Sequence, residues 1–194
     1  MRMLVTGSPG CGKTSFCQRM VESARLEGTR VGGVLAPAVY FDKQRIGANV
    51  VDLATQLTAP LTRLAYAGDG NGDGHHGSRW MIMREGLDVA RSALEQAVRQ
   101  TFDLIVVDEF GPLELAGGGI REEAVDAWNS GRDVLLVART SVADEVIHAL
   151  NRPPDLRIVP EASPVVRERS LERVACGPAF AQRARPVLLA LTRA

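Results

Sequence analysis

The chain has 194 residues, of which 45% are apolar and 24% charged, the ordinary make-up of one globular domain with a well-developed core. Its 23 Lys and Arg balance 23 Asp and Glu, so no overall field draws it to nucleic acid or to an anionic membrane; neither is an expected partner, and no local basic patch is demanded. No run approaches the roughly 20 apolar residues that span a bilayer, and Met1-Arg2 enters Met3-Leu4-Val5 without a signal peptide. The three cysteines, Cys11, Cys17 and Cys176, lack zinc-ligand spacing, so a reduced, cytoplasmic protein without a structural metal is expected.

Met1–Thr6 reads as a short buried strand stopped by Gly7-Ser8-Pro9-Gly10. A helix follows over Lys13–Leu26, with Phe16, Met20, Val21 and Ala24 at helical spacing. Val31–Leu35 begins a second strand. Val39–Phe41 and Ile46–Leu53 flank the polar turn Asp42-Lys43-Gln44, which predicts a β-hairpin. Leu61–Ala65 and Arg79–Met83 are two further short strands around a glycine-rich loop. Leu87, Ala90, Leu94, Ala97 and Val98 define an amphipathic helix over Gly86–Gln100.

Leu104–Val107 is a continuous apolar run ending in Asp108-Glu109, as a central parallel strand should be. Arg121–Asn129 is a helix, Val134–Ala138 a buried strand, Val142–Leu150 a helix and Leu156–Val159 a last strand; Ala179–Arg193 reads as a helical tail. This alternation predicts a three-layer α/β/α fold with a mostly parallel central sheet and an added β-hairpin. Ligands in such folds bind at the carboxyl ends of the strands. No linker divides the chain, so residues 1–194 are read as one domain, with about 177–194 as a C-terminal extension.

Gly7-Ser8-Pro9-Gly10-Cys11-Gly12-Lys13-Thr14 fits G-x-x-x-x-G-K-[ST] at every required position. Glycines let the backbone wrap so that its amides form an anion nest, and the following helix adds its positive end. Lys13 supplies a point charge for the β- and γ-phosphates, and Thr14 offers a hydroxyl to Mg²⁺. An ordinary glycine turn is the competing reading, but the strand before and the helix after are what the phosphate loop requires. Cys11 is expected to point away from the phosphates, and Ser15 extends the loop with a second hydroxyl.

The second chemical feature is the carboxylate pair after Leu104–Val107. An aspartate at such a strand tip holds Mg²⁺ in phosphate-loop enzymes, which assigns Asp108. Glu109 points differently along the strand and suits orientation or deprotonation of an attacking water. That pairing favours hydrolysis over phosphoryl transfer to an acceptor. The alternatives are a nucleotide or small-molecule kinase and a nucleotide-gated switch with slow turnover; nothing specifically indicates a protein partner.

Thr6–Thr14 together with Asp108-Glu109-Phe110-Gly111-Pro112-Leu113-Glu114-Leu115 resembles the thermophile-type nucleoside-triphosphatase family, with Phe110 and Leu113 as apolar variants of its D-E-x-G-P-x-E-L stretch. Val31–Val34 through Arg45-Ile46-Gly47 and Val50–Leu53 is similar to that family's hairpin. The resemblance covers residues 1 to about 175. It implies a RecA-like phosphate-loop fold and slow Mg²⁺-dependent hydrolysis of ATP, GTP and other nucleoside triphosphates, with poor base discrimination. Gly68–Ser78 and the tail beyond Cys176 depart from the family pattern.

Weaker signals complete the inventory. Asp69-Gly70-Asn71-Gly72-Asp73-Gly74 opens like a calcium loop, but its twelfth position is Trp80 and not glutamate. His75 and His76 have no third ligand at suitable spacing. Among arginines able to stabilise charge on the γ-phosphate, Arg139 at a central strand end comes first, then Arg45, with Arg167 and Arg169 behind. Glu114 supports Mg²⁺, fixes the loop after Glu109, or caps the next element. Trp80 and Trp128 offer base stacking, with core packing the commoner fate.

Overall fold

The computed structural model describes residues 1–65 and 79–160. The predicted tail, the 68–78 loop with its calcium-like segment and histidines, and Arg167, Arg169 and Cys176 lie outside these residues. In chain order the elements are β1 (Arg2–Gly7), α1 (Lys13–Leu26), β2 (Val31–Leu35), β3 (Ala38–Phe41), β4 (Gln44–Asp52), β5 (Thr58–Leu64) and β6 (Trp80–Ile82). There follow α2 (Arg84–Arg99), β7 (Leu104–Val107), α3 (Pro112–Leu115), α4 (Arg121–Asn129), β8 (Asp133–Arg139), α5 (Ala143–Ala149) and β9 (Leu156–Ile158).

The nine strands form one sheet in the order β6-β5-β4-β2-β7-β8-β1-β9, with β3 paired to β4. β2, β7, β8, β1 and β9 run parallel, whereas β3 to β6 are antiparallel. Both faces of the parallel part are covered, which explains why its strands read as unbroken apolar runs. Successive residues go to opposite faces. Leu4, Ile105, Val107, Val134 and Leu136 join α2, α4 and α5 in one core cluster. Met3, Val5, Val106, Leu135 and Val137 join the Phe16–Val21 face of α1 in the other. The three-layer architecture follows. Trp128 and Phe110 are fully buried in the first cluster, each contributing about 2–3 kcal/mol by removal from water.

The register sets where chemistry collects. Gly7 is the Cα partner of Arg139, and Val107 pairs with both Val34 and Leu136. The residues after β1, β2, β7 and β8 therefore emerge at one end of the sheet. The antiparallel strands have a consequence of their own. Because Val51 pairs antiparallel with Leu35, residues 44–49 run on past the end of β2, towards that same end. β5 and β6 follow β4, as Gly47↔Arg63 and Leu64↔Trp80 show. The predicted hairpin is thus the first half of a four-stranded arm. Its turn residues, Asp42 and Lys43, both have positive φ, 44° and 64°. Among the described residues no helix is long and apolar enough to cross a membrane.

Candidate active site

β1 delivers Gly7 to the sheet edge, and α1 starts six residues later at Lys13. Gly12 caps the helix at φ 92° and ψ 19°, a left-handed conformation that costs a side-chain-bearing residue energy and glycine none. Phe16 N–H donates to Gly12 C=O at 2.8 Å, closing the first helical turn, and Cys11 N–H donates to Ser8 C=O at 3.2 Å. The amides of the opening turn are those a helix leaves without internal partners, and they carry its positive end. Ser8, Pro9, Gly10 and Ser15 are exposed and Thr14 is half-buried. Cys11 Sγ packs against Gly7, so closely that a Cβ on Gly7 would fall 2.4 Å from it.

Lys13 is 7% exposed, its stem covered and its Nζ donating to the carbonyls of Gly7 and Ser8, each at 2.9 Å. An ammonium has three donors, so the third is left for a phosphate oxygen at the loop. Cys17, one helical turn on, is wholly buried, and burial raises its thiol well above the ordinary range; it is an inert core thiol.

Asp108 follows β7 and is 4% exposed. Burial pushes its carboxyl from 3.8 up to about 6, against the lowering influence of the Ala36 N–H, the Thr14 hydroxyl and Lys13. Ala36 N–H donates to Asp108 Oδ2 at 3.1 Å. A buried carboxylate touching a hydroxyl and short of positive charge is a fitting donor pair for Mg²⁺, a hard cation that takes oxygen ligands. These are the two residues expected from the sequence to hold it, here near enough for the Thr14 hydroxyl to lower the Asp108 carboxyl against its burial.

The Asp108–Glu109 peptide is cis. Glu109 is half-buried, and its Oε1 accepts from Arg139 Nε at 3.2 Å and from Nη2 at 3.1 Å. Of the arginines considered, Arg139 therefore stands at the site, both beside Gly7 in register and on Glu109. Arg45 does not join this cluster: its guanidinium lies 5.1 Å from the centre of the Trp80 ring, on the arm.

Beyond Glu109 the chain is pinned on two sides. Phe110 N–H donates to Val137 C=O at 2.8 Å, tying the loop to β8. Glu114, 7% exposed, accepts from Gly111 N–H at 2.9 Å and from Ile120 N–H at 3.4 Å. Burial raises its carboxyl despite those amides. These bonds both fix the loop after Glu109 and cap α3, two of the roles read for Glu114 from the sequence. Trp128 fills the core and donates from Nε1 to Arg152 C=O at 3.0 Å, which excludes it as a base platform. Sequence reasoning missed α3 and the Ala36 amide; Pro112 at the first helical position was the available signal for α3.

Comparison with known proteins bears on this arrangement. The sequence model of a family described as NTPase matches residues 2–174. The nucleoside-triphosphatase THEP1 of Methanopyrus kandleri is 33% identical over 168 residues, covering 86% of this chain and 84% of that protein. That of Pyrococcus abyssi is 37% identical over 115 residues, a match spanning 59% of this chain and 60% of the relative's length. The crystal structure of THEP1 from Aquifex aeolicus superposes with a TM-score of 0.65 at 21% identity, covering 90% of this chain and 96% of that one, a likeness of fold. With the family model spanning residues 2–174 and a relative 33% identical over 86% of the chain, the chain belongs to the NTPase family.

Proposed function

We propose that the chain hydrolyses nucleoside triphosphates to the diphosphate and phosphate, with Mg²⁺ and with little discrimination between bases. The reading rests above all on the convergence of Lys13, Thr14, Asp108 and the Glu109–Arg139 pair at one end of the sheet. The names of the relatives support hydrolysis. Little base discrimination is what the family resemblance implies.

In this reading the loop from Gly7 to Ser15 binds the triphosphate through its amides and the Lys13 ammonium. Thr14 and Asp108 hold the cation, which would supply charge neutralisation at the phosphates. Glu109 orients water and accepts its proton. Arg139 fixes Glu109 by two hydrogen bonds and keeps a second guanidinium edge within the site for charge developing on the γ-phosphate.

The test is phosphate release from ATP, GTP, CTP and UTP, with Mg²⁺ or with excess EDTA and without any acceptor. Release from all four at rates within about tenfold (a spread of about 1.4 kcal/mol), abolished by EDTA, is expected. Formation of the diphosphate only on addition of an acceptor molecule, with the phosphoryl group carried on that acceptor and no free phosphate, would overturn hydrolysis.

A further inference from the structure

The arm made by β3 to β6 carries chemistry that hydrolysis does not use. Arg45 lies six residues before Val51, the partner of Leu35, so at about 3.3 Å per residue the arm reaches about 20 Å past the end of β2. It projects from the end of the sheet that holds the phosphate loop. At its tip Tyr40 and Phe41 are 63% and 67% exposed, opposite Arg45 and Gln44 in register. Side chains alternate along a strand, so Tyr40 shares the face of its register partner Arg45 while Phe41 stands on the other face of the tip, both rings left in water.

The surroundings are cationic. Lys43, Arg45, Arg63 and Arg79 belong to this end of the arm, where Asp42 is the one carboxylate among the described residues, Asp52 lying at the far end of β4. The guanidinia of Arg45 and Arg79 lie over the Trp80 ring, 5.1 and 5.6 Å from its centre. A guanidinium stacked on a ring keeps its in-plane N–H groups pointing outward, the geometry that grips a phosphate. Arg45 Nε donates to Gly47 C=O at 3.2 Å, which holds the guanidinium in place at the ring. The neutral charge of the whole chain does not oppose this, because screening confines each field to about 8–10 Å.

Flat rings for bases beside braced guanidinia for phosphates are the components of single-strand recognition. We propose that this arm binds single-stranded nucleic acid, wrapped around the tip with one base stacked on Tyr40, another on Phe41 on the opposite face, and phosphates held by Lys43, Arg45 and Arg79. An acidic protein surface would use the cations but has no need of two flat rings.

Fluorescence anisotropy of labelled 12-nucleotide oligo(U) and oligo(dT) with the full chain tests this, at 50 and 200 mM salt. Saturable binding is expected, weakened about tenfold or more at the higher salt by loss of three phosphate contacts. Tyr40→Ala with Phe41→Ala should weaken it at least tenfold, with unchanged thermal stability and unchanged NTP hydrolysis. Arg45→Glu with Arg79→Glu should abolish it. Absence of saturable binding at 50 mM salt overturns the proposal. So does equal binding of a duplex or of heparin that ignores the aromatic substitutions, since that is simple polyanion attraction. Sedimentation showing a dimer that Tyr40→Ala with Phe41→Ala dissociates would instead make the arm a contact between copies.

Discussion

Arg139 directs both Nε and Nη2 at a single oxygen of Glu109, Oε1, at 3.2 and 3.1 Å. The other carboxylate oxygen is not engaged by this arginine, so a water can hydrogen-bond there while the side chain is held still. Proton acceptance by a positioned carboxylate contributes about 10²–10⁴-fold to a rate. Glu109→Gln should therefore lower single-turnover phosphate release by that order while nucleotide affinity, measured by titration calorimetry, stays within about threefold. Unchanged turnover would remove Glu109 from the mechanism.

If Arg139 works mainly through Glu109, the two substitutions must be non-additive. Arg139→Ala alone is expected to slow turnover by about 10–10³-fold. In a Glu109→Gln background the same change should cost less than about threefold, because the group it positions has lost its function. Arg139→Lys should restore little, since lysine cannot place two fixed donors on one oxygen. Full additivity in the cycle would show that Arg139 acts on the phosphate independently.

Lys13 arches over the loop on the carbonyls of Gly7 and Ser8. Its ammonium is the one side-chain charge that the loop itself brings to a γ-phosphate. A hydrogen bond to a charged group is worth about 1.5–3 kcal/mol, so Lys13→Ala should weaken triphosphate binding roughly 10- to 150-fold. Diphosphate should lose less. Equal affinity of wild type and variant for a non-hydrolysable triphosphate, by calorimetry, would sink the assignment.

How far these contacts are legible before folding depends on what carries them. β7 and α1 are legible because Leu104–Val107 is buried on both faces and Phe16, Met20 and Val21 keep one helical face. The side-chain chemistry of Lys13, Thr14 and Asp108 is legible because it sits in fixed spacing beside those elements. The Glu109–Arg139 pair is not, since the residues are 30 apart and meet only through the β7–β8 register. The Ala36 N–H on Asp108 is a backbone donor and leaves no mark in residue type. α3 spans four residues, too few for a period to show. The turn at Asp42-Lys43 takes positive φ without the glycine that usually announces it. Arg45 offered the right charge in a plausible place, and only the arm's pairing reveals that it stacks on Trp80.

Packing of β2 on β7 rests on a backbone that no side chain can enter. Gly33 has φ 92°, and a Cβ there would lie 2.1 Å from Val106 O and 2.8 Å from Val106 N. Conformational strain of about 1–3 kcal/mol adds to that overlap, so Gly33→Ala should cost more than about 3 kcal/mol. For a chain of this size the expected fall in melting temperature is about 6–12 °C or more. Gly32→Ala meets the Phe102 ring at 2.9 Å, a side chain able to turn aside, and should cost visibly less by calorimetry. Equal losses would contradict the geometry.

Asp108 links function to stability with a definite sign. Its folded carboxyl titrates near 6, above the unfolded value of 3.8, chiefly because it is buried. The folded chain therefore holds a proton more tightly than the unfolded one. This contribution is fully present below about pH 4 and is lost as pH rises through 6. A shift from 3.8 to about 6 corresponds to about 3 kcal/mol, at about 1.4 kcal/mol per unit. At pH 8, without nucleotide or Mg²⁺, the ionised group is a cost to the fold. Asp108→Asn keeps an acceptor for the Ala36 N–H and removes that charge. The variant should then be more stable than the wild type at pH 8, by up to about 3 kcal/mol, with the gap closing towards pH 4. It should also lose the extra stabilisation that wild type gains from Mg²⁺ with a triphosphate. Denaturant melts at pH 4.5, 6 and 8 read both effects, and a variant less stable at pH 8 than at pH 4.5, relative to wild type, would reverse the sign and refute the account.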